Sequence, residues 1–332
     1  FFFLKKIGMI DILIFFCLAI MPFNQLEIEK SLLKREWLDY KLKYELEFSK
    51  DEDIEREKIY LENYQFIVDA NQKNLNYTLE MNRFGHLKMT ERKRLMSQNA
   101  PRSYQNEPPI FVGEIIPIEY DYRDDKVVSH VKNQHSCGSG YAFSAVGAIE
   151  SAFALVTGII PDLSEQEIVS CSKKFGNYGC DGGVPELAFQ YCISKGLSTS
   201  IKYPYKAKEA KCARKNPKNA FKIEGYRKLT SGDEENLLRA LYFVGPISIT
   251  MNAWHNEFIF YKSGILEIEH CSTQIFDHGV LAVGYSLTET PYLIAKNSFD
   301  PNWGENGYFR IPLFKENMCG IASYATYPIP LI

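Results

Sequence analysis

The spacing of hydrophobic and polar positions divides the chain near Pro117. From Glu27 to Lys58, charges of both signs are dense and apolar residues recur at helical intervals. This pattern predicts an exposed amphipathic helix and not the core of an enzyme. A stretch rich in Pro, Asn and Ser at 97–117 is typical of a linker. We therefore expect a helical N-terminal segment tethered to a separate body.

The body beyond this linker begins with helical patterns and continues with period-two patterns. Ser164 is predicted to be a helix N-cap, with Glu167 completing a capping box. The predicted helices are Tyr141–Val156, a second one opening at 164–167, and Pro185–Ser194; the predicted strands are Pro246–Met251, Gly279–Tyr285, Tyr292–Asn297 and Gly307–Ile311. Helices followed by strands favour an α+β fold with two lobes and a cleft between them.

Charge and the first residues exclude some classes of function. The 332 residues carry a net charge of −3, so no basic excess points to nucleic acid. A Lys pair precedes a short apolar run from Ile12 to Met21, which Pro22 ends. This layout predicts a signal peptide at 1–22 and no stable membrane anchor. The protein is therefore expected to be secreted, or to reach a lysosome-like compartment through the secretory pathway.

The cysteine content agrees with an oxidising compartment. Of the eight Cys, Cys17 lies in the predicted signal peptide, and the other seven suggest three disulfides and one free thiol. No Cys-x-x-Cys pair or His cluster has the spacing of a zinc site, so no metal and no cofactor is expected. Asn76-Tyr77-Thr78 is an acceptor sequence for N-glycosylation.

Three short motifs carry the chemistry. Gln134 is followed by Cys137-Gly138-Ser139-Gly140-Tyr141, and Asp277-His278-Gly279 and Lys296-Asn297-Ser298 stand further along the chain. From about Trp37 to its end, the chain resembles the papain and cathepsin L family of cysteine peptidases. In that family, Gln and then Cys-Gly-Ser-Cys-Trp open the central helix.

The resemblance implies a fold and a domain layout. A helical, cathepsin L-type inhibitory pro-segment is expected at 23–115 and a papain-like peptidase domain at 116–332. That α+β domain is expected to have a helical lobe at about 116–225 and a β-barrel-like lobe at about 226–332. A monomer is expected.

The same resemblance assigns four positions to catalysis. Gln134 would stabilise an oxyanion, His278 would act as the base, and Asn297 would orient the imidazole ring. The nucleophile position is Gly140. A thiol at a helix N-terminus beside an imidazole loses its proton readily, whereas Gly has no side chain to react. Because loss of the nucleophile in a comparable hydrolase costs about 10⁶ in turnover, the chain is predicted to be inactive.

Neighbouring side chains are poor substitutes for the missing thiol. Ser139 should leave the helix start in another direction, Tyr141 is a weak nucleophile, and Cys192 is expected to be buried and inert. Phe299, which replaces a Trp of the family, and His135, which replaces a Gly, are further departures around the site. Together these changes indicate that selection for turnover has been lost.

The resemblance also marks a cleft that could still bind. Gly182 and Gly183 would pair with an extended substrate backbone. The main specificity pocket would be lined by Val184, Pro185, Thr250, Phe276, Gly279 and Tyr324, although these residues could equally well only fill space. The disulfides that the family pattern implies are Cys137–Cys180, Cys171–Cys212 and Cys271–Cys319, which leaves Cys192 free.

The pro-segment follows the family pattern in part. One stripe of a helix would carry Glu52, Arg56, Tyr60, Asn63, Ile67 and Asn71, with Glu52 able to pair with Arg56. In the next motif Asn82 and Phe84 match, but Glu80 and His86 stand where Gly and Asp are usual. Acid-triggered release is therefore expected to be altered. A chain without the thiol cannot cleave itself, so another protease would have to remove the segment.

Three hypotheses about function remain open. The first is a secreted, inactive peptidase homologue that binds peptides, a cystatin-like peptidase inhibitor or another secreted protein. The second is an active endopeptidase in which Gly140 is a sequence error or is compensated. The third is a structural, silicatein-like protein, which Gly140-Tyr141-Ala142-Phe143-Ser144 suggests, although silicateins carry a Ser at the first of these positions.

Overall fold

The computed structural model describes residues 23–96, 115–214 and 220–332. The predicted signal peptide at 1–22, with Cys17, and residues 97–114 of the predicted linker lie outside the described residues. The chain divides into two compact units, one ending at Gln65 and the other running from Phe66 to Ile332. Residues 66–96, which the sequence assigns to the pro-segment, thus fold with the second unit. The processing boundary at 115/116 stays a prediction.

The first unit contains two helices and a buried aromatic cluster. Helix α1 (Phe23–Lys43) and helix α2 (Lys50–Asn71) are separate, so the single exposed helix predicted for 27–58 is wrong. Trp37 is fully buried, and its ring centroid lies 5.7 Å from that of Tyr40 and 5.4 Å from that of Tyr60. Aromatic residues that looked scattered in the sequence therefore form a shared core.

The predicted stripe on α2 makes specific contacts. Arg56 Nη2 lies 3.1 Å from Glu52 Oε1, as the spacing predicted. At the end of the helix, the Asn71 side chain donates to the Leu79 carbonyl and accepts from the Leu79 amide, both at 2.9 Å. These two hydrogen bonds attach the end of α2 to the extended chain that follows.

The second unit is built on an open antiparallel sheet. Its strands are β1 (Tyr77–Leu79), β2 (Glu119–Asp121), β3 (Ile223–Lys228), β4 (Ile247–Met251), β5 (Tyr261–Gly264), β6 (His278–Ser286), β7 (Tyr292–Lys296), β8 (Tyr308–Pro312) and β9 (Ala325–Pro330). The main sheet has the order β3-β9-β4-β6-β7-β8 with β2 paired to β6, whereas β1 and β5 form a separate pair. Because β3 and β8 lie at opposite edges, the predicted barrel-like closure is wrong. Strand β2 also joins this sheet, although it lies in the range predicted for the helical lobe.

One long helix positions the site. The helices of this unit are α3 (Met89–Arg92), α4 (Gly140–Thr157), α5 (Glu165–Cys171), α6 (Pro185–Lys195), α7 (Glu234–Val244) and α8 (Asn256–Ile259). Among the described residues, α4 alone is long and apolar enough to cross a membrane, but most of it is buried inside the protein. Its small residues let β6 approach closely, because a Cβ added at Gly147 would lie only 3.0 Å from Leu281. Ser144 Oγ donates to the Val280 carbonyl at 2.6 Å.

The predicted capping box of α5 is only half present. Ser164 Oγ accepts from the Glu167 amide at 3.0 Å, so Ser164 is the N-cap. The Glu167 carboxylate does not complete the box. It accepts instead from the Ser198 amide at 2.8 Å and from the Tyr191 hydroxyl at 2.7 Å. Burial of this carboxylate among tertiary donors overrides the local motif.

The disulfide pairing is the one that the family pattern implied. The bonds are Cys137–Cys180, Cys171–Cys212 and Cys271–Cys319. Cys192 is free and buried. The first of these bonds lies immediately before α4, so it fixes the chain that leads into the helix.

Candidate active site

The start of α4 faces the start of β6 at very short range. Gly140 is the first residue of α4, and His278 is the first residue of β6. A Cβ added at Gly140 would lie 2.7 Å from His278 Nδ1, 2.8 Å from its Cε1 and 3.2 Å from the Gly279 carbonyl oxygen. The imidazole therefore occupies the space that any side chain at residue 140 would have to enter.

His278 is held as a buried, neutral base with nothing to deprotonate. Its Nε2 lies 2.8 Å from Asn297 Oδ1, which also accepts from the Ser298 amide at 2.8 Å. Because Oδ1 can only accept, Nε2 carries the proton and Nδ1 carries the lone pair. Among the described residues, Nδ1 has no hydrogen-bond partner. Burial lowers the pKa of His278 from 6.5 to about 4. This effect outweighs the hydrogen bond to Asn297, which raises the pKa.

Aromatic rings enclose this imidazole. The ring centroid of His278 lies 5.0 Å from that of Phe299 and 5.7 Å from that of Phe258. Phe84, which comes from the predicted pro-segment, packs edge-on against Phe299 at 5.2 Å. Phe299 thus covers the His–Asn pair, as the Trp that it replaces would be expected to do.

The amide predicted to stabilise an oxyanion is already occupied. Gln134 Nε2 donates to the Leu95 carbonyl at 2.7 Å and to the Cys137 carbonyl at 2.9 Å. Its Oε1 accepts from Ser298 Oγ at 2.6 Å, and the side chain is fully buried. The Leu95 carbonyl of the predicted pro-segment therefore takes the place at Gln134 where a developing oxyanion would bind.

Within the second unit, residues 77–96 are held to the rest of the unit by hydrogen bonds to main-chain carbonyls. The Glu80 amide donates to the Phe260 carbonyl at 2.9 Å, and Asn82 Nδ2 donates to the Ile259 carbonyl at 2.7 Å. Further along, a Cβ added at Gly138 would lie 2.7 Å from the Met96 carbonyl. The Cys180 carbonyl oxygen would lie even closer, at 2.6 Å, so close passage of both the Cys180 and the Met96 main chain requires a glycine at 138.

Most of the predicted binding residues are buried. Gly182 and Gly183 are buried, and a Cβ added at Gly183 would lie 2.3 Å from Asn177 Oδ1. Of the other predicted residues, Val184, Pro185, Thr250 and Gly279 are buried, whereas Phe276 and Tyr324 are half-buried with ring centroids 6.4 Å apart.

An ion pair that the sequence did not reveal lies beside Tyr324. The Tyr324 hydroxyl donates to the Glu186 carboxylate, and Lys228 Nζ lies 2.6 Å from the other oxygen of that carboxylate. The ammonium of Lys228 also stands over the Tyr324 ring, 5.6 Å from its centroid. The sequence did offer a signal for Glu186, because it follows the predicted binding residue Pro185 in the first turn of α6.

The potential substitutes for a thiol are engaged elsewhere. Ser139 Oγ is buried and lies 2.7 Å from the Tyr205 hydroxyl. Tyr141 donates to the Gly179 carbonyl at 3.1 Å, and burial raises the pKa of its hydroxyl. Burial likewise raises the pKa of the Cys192 thiol. Within the described residues, none of these groups bonds to His278 Nδ1.

A buried charge cluster behind the site was missed by the sequence analysis. Lys132 Nζ lies 2.9 Å from Glu150 and 2.7 Å from Glu165, and Lys296 Nζ donates to the Ser129 carbonyl at 2.7 Å. These groups line a cavity of about 20 Å³, which is large enough for one water molecule. Burial lowers the pKa of Lys296 to about 8. The available signal was Glu150, a single charge inside an otherwise apolar helix.

Comparison with known proteins agrees with this geometry. Residues 116–329 match the family described as papain family cysteine protease, and residues 37–91 match the cathepsin propeptide inhibitor domain (I29). The chain is 36% identical over 316 residues to a cathepsin L-like protein of Caenorhabditis elegans, covering 91% of this chain and 93% of that protein. It is 34% identical over 319 residues to a silicatein of Petrosia ficiformis, covering 88% and 93%. Digestive procathepsin L 3 of the Tenebrio molitor larval midgut superposes with a TM-score of 0.83 at 34% identity, covering 90% of this chain and 99% of that one.

Proposed function

Because this chain belongs to the papain family of cysteine proteases and carries a cathepsin propeptide inhibitor domain, we propose that it is a catalytically inactive homologue that binds a ligand through its cleft. One observation carries the proposal. The imidazole of His278 stands 2.7 Å from where the Cβ of residue 140 would begin, and residue 140 is Gly. The chain thus has a base without a nucleophile.

The ligand we propose is an extended main chain, from a peptide or from a cystatin-like inhibitor. Support comes from the path of the chain's own residues, since the Leu95 carbonyl accepts from Gln134 and the Met96 carbonyl passes Gly138. Although Lys93–Leu95 form a 3₁₀ turn, the main chain reaches Gln134 and Gly138, so the cleft has a donor and the clearance for a main chain at these points. The three disulfides support a secreted or lysosome-like location.

Hydrolysis of a dipeptidyl fluorogenic substrate tests inactivity. The wild-type protein, with its pro-segment removed by an added protease, is expected to show only background turnover that a thiol alkylator does not change. Gly140→Cys is the comparator that supplies a thiol, and Gly140→Ser is its matched control. Thiol-sensitive turnover by the wild-type protein that disappears in His278→Ala would overturn the proposal of an inactive site.

Binding to an immobilised cystatin-type inhibitor tests the ligand class. Protein without the pro-segment is expected to bind, whereas the full chain, in which Leu95 occupies Gln134, is expected to bind much more weakly. Lack of binding by both forms would count against the inhibitor as ligand. A competing extended peptide would then test whether the cleft accepts main chain at all.

The other two hypotheses have their own tests. Resequencing codon 140 tests a sequence error, because a Cys codon would restore the second hypothesis. The similarity to a silicatein is the observation that supports the third hypothesis, a structural protein. Gly140 offers no hydroxyl where silicateins carry Ser, so we expect no silica deposition by the purified chain, and deposition would favour that hypothesis.

A further inference from the structure

The pro-segment carries the chain's single run of three consecutive basic residues, Arg92-Lys93-Arg94. Arg92 ends α3, and a 3₁₀ turn covers Lys93–Leu95. We propose that the Arg94–Leu95 peptide bond is a processing site, cut by a separate endoprotease that recognises Lys-Arg pairs. The inference rests on the proposed function, because a chain without a thiol cannot cut itself.

Two of the three basic side chains are available to such a protease. Lys93 and Arg94 are exposed, and within the described ranges neither forms an ion pair. Arg92 is different, since it is buried, its Nη1 donates to Asn256 Oδ1 at 2.9 Å, and its guanidinium lies 5.0 Å over the Phe260 ring. Arg92 therefore anchors the run, while the following Lys-Arg pair presents its charges to acidic specificity pockets.

The scissile bond itself is held in place by the cleft. Leu95 and Met96 are each 3% exposed, and the Leu95 carbonyl accepts from Gln134 Nε2 at 2.7 Å. A protease needs an extended substrate, so the turn must open and Leu95 must leave Gln134 before cleavage. The rate of cutting therefore follows how often residues 93–96 open locally.

Cleavage is an ordinary hydrolysis with no additional reactant. Water adds across the amide, leaving a carboxylate on Arg94 and an ammonium group on Leu95. Every described disulfide joins residues after this bond, so no described covalent link crosses it.

The cut segment is nevertheless expected to stay bound. Strand β1 still pairs with β5, and Thr78 Oγ1 lies 2.8 Å from Ser263 Oγ. Asn82 Nδ2 still donates to the Ile259 carbonyl. The product is therefore a nicked complex that co-elutes in native chromatography and separates in denaturant.

The test uses the full chain and a subtilisin-like endoprotease specific for Lys-Arg pairs, with N-terminal sequencing and intact mass as readouts. We expect a first cut that exposes Leu95 as a new N-terminus. Arg94→Gln should abolish that cut, whereas the control Arg35→Gln, at the exposed end of another Lys-Arg pair in α1, should leave it unchanged. A Gln134→Ala variant that folds, as judged by circular dichroism, should be cut severalfold faster at the same bond.

Two outcomes would overturn the inference. One is a first cut at another basic pair, and the other is equal cutting of the wild-type protein and Arg94→Gln. Failure of the proposed function looks different, because it would appear as self-cleavage without added protease that a thiol alkylator blocks. The two failures are thus separate results of the same experiment.

Discussion

The buried imidazole of His278 should make the stability of this protein depend on pH in a defined direction. Its folded pKa is lowered to about 4, whereas the unfolded chain has the ordinary value of 6.5. Between these values the unfolded chain binds a proton that the folded chain does not. Stability from this group is therefore fully present above about pH 6.5 and is lost as the pH falls toward 4. From about pH 7 to about pH 5, proton linkage at His278 lowers the free energy of unfolding by about 2 kcal/mol.

The neighbouring Asp277 should act in the opposite direction. Its carboxylate accepts from Asn252 Nδ2 at 2.6 Å and from the Ala253 amide at 2.7 Å, but burial still raises its pKa to about 6. The folded chain then holds a proton that the unfolded chain has released. On acidification from about pH 7 to about pH 5, this group contributes a gain of about 1 kcal/mol. In the wild-type protein, the Asp277 gain offsets about half of the His278 loss, which leaves a net loss of about 1 kcal/mol in the free energy of unfolding.

Urea unfolding at both pH values separates the two groups. Compared with the wild-type protein, His278→Gln should lose about 2 kcal/mol less free energy of unfolding on acidification. Asp277→Asn should lose about 1 kcal/mol more. Other carboxyl groups contribute equally to all three proteins, so the differences isolate these two sites. Parallel pH curves for the wild-type protein and His278→Gln would show that His278 protonates freely in the folded state. The description of a sealed, neutral base would then be wrong.

Three further predictions concern packing, charge and modification. Gly140→Ala places a methyl group 2.7 Å from His278 Nδ1 and should lower the free energy of unfolding by about 1–3 kcal/mol in urea titration. Glu150→Gln should lower the free energy of unfolding by about 3–5 kcal/mol in thermal unfolding, because Lys132 loses a buried partner. Asp162 is an exposed partner of the same Lys132, so the control Asp162→Asn should lower it by less than about 1 kcal/mol. When the protein is secreted from eukaryotic cells, the wild-type chain should carry a glycan that a glycosidase removes, because exposed Asn76 lies in the chain's single acceptor sequence. The Asn76→Gln variant should lack that additional mass.

The elements of the fold that the sequence predicted are those with a clear local pattern of apolar positions, including the five-residue strands β4, β7 and β8. The prediction of 141–156 for α4 came within one residue at each end, because its apolar positions repeat over several turns. Strand β1 was missed because it has three residues and its partner β5 begins at Tyr261. Pairing at that distance leaves no local pattern to detect. Helix α7 was missed despite a local signal, since Asp233 caps it by accepting from the Asn236 amide.

At the site, the sequence could identify positions but not distances. The motifs predicted that Gln134, His278 and Asn297 belong to one site; in the structure His278 is hydrogen-bonded to Asn297, and Gln134 accepts from Ser298, the residue after Asn297. They could not show that Gln134 donates to Leu95, since the two residues belong to different parts of the precursor. They also could not show that the imidazole lies against Gly140, because that distance depends on how α4 packs against β6.

His278 and Asn297 have structural roles in the fold that do not depend on catalysis. His278 opens β6, where it is paired in register with Met251 of β4, and its ring packs between Phe258 and Phe299. Asn297 follows Lys296, whose ammonium is bound to Ser129 in the buried charge cluster. Replacing Asn297 would leave the buried Nε2–H of His278 without its acceptor, which is costly whether or not the protein turns over a substrate. Gly140 carries no such constraint, because Ser139 and the Cys137–Cys180 disulfide hold the start of α4 without a side chain at 140. Position 140 is therefore the one position of the site at which the fold itself requires no side chain.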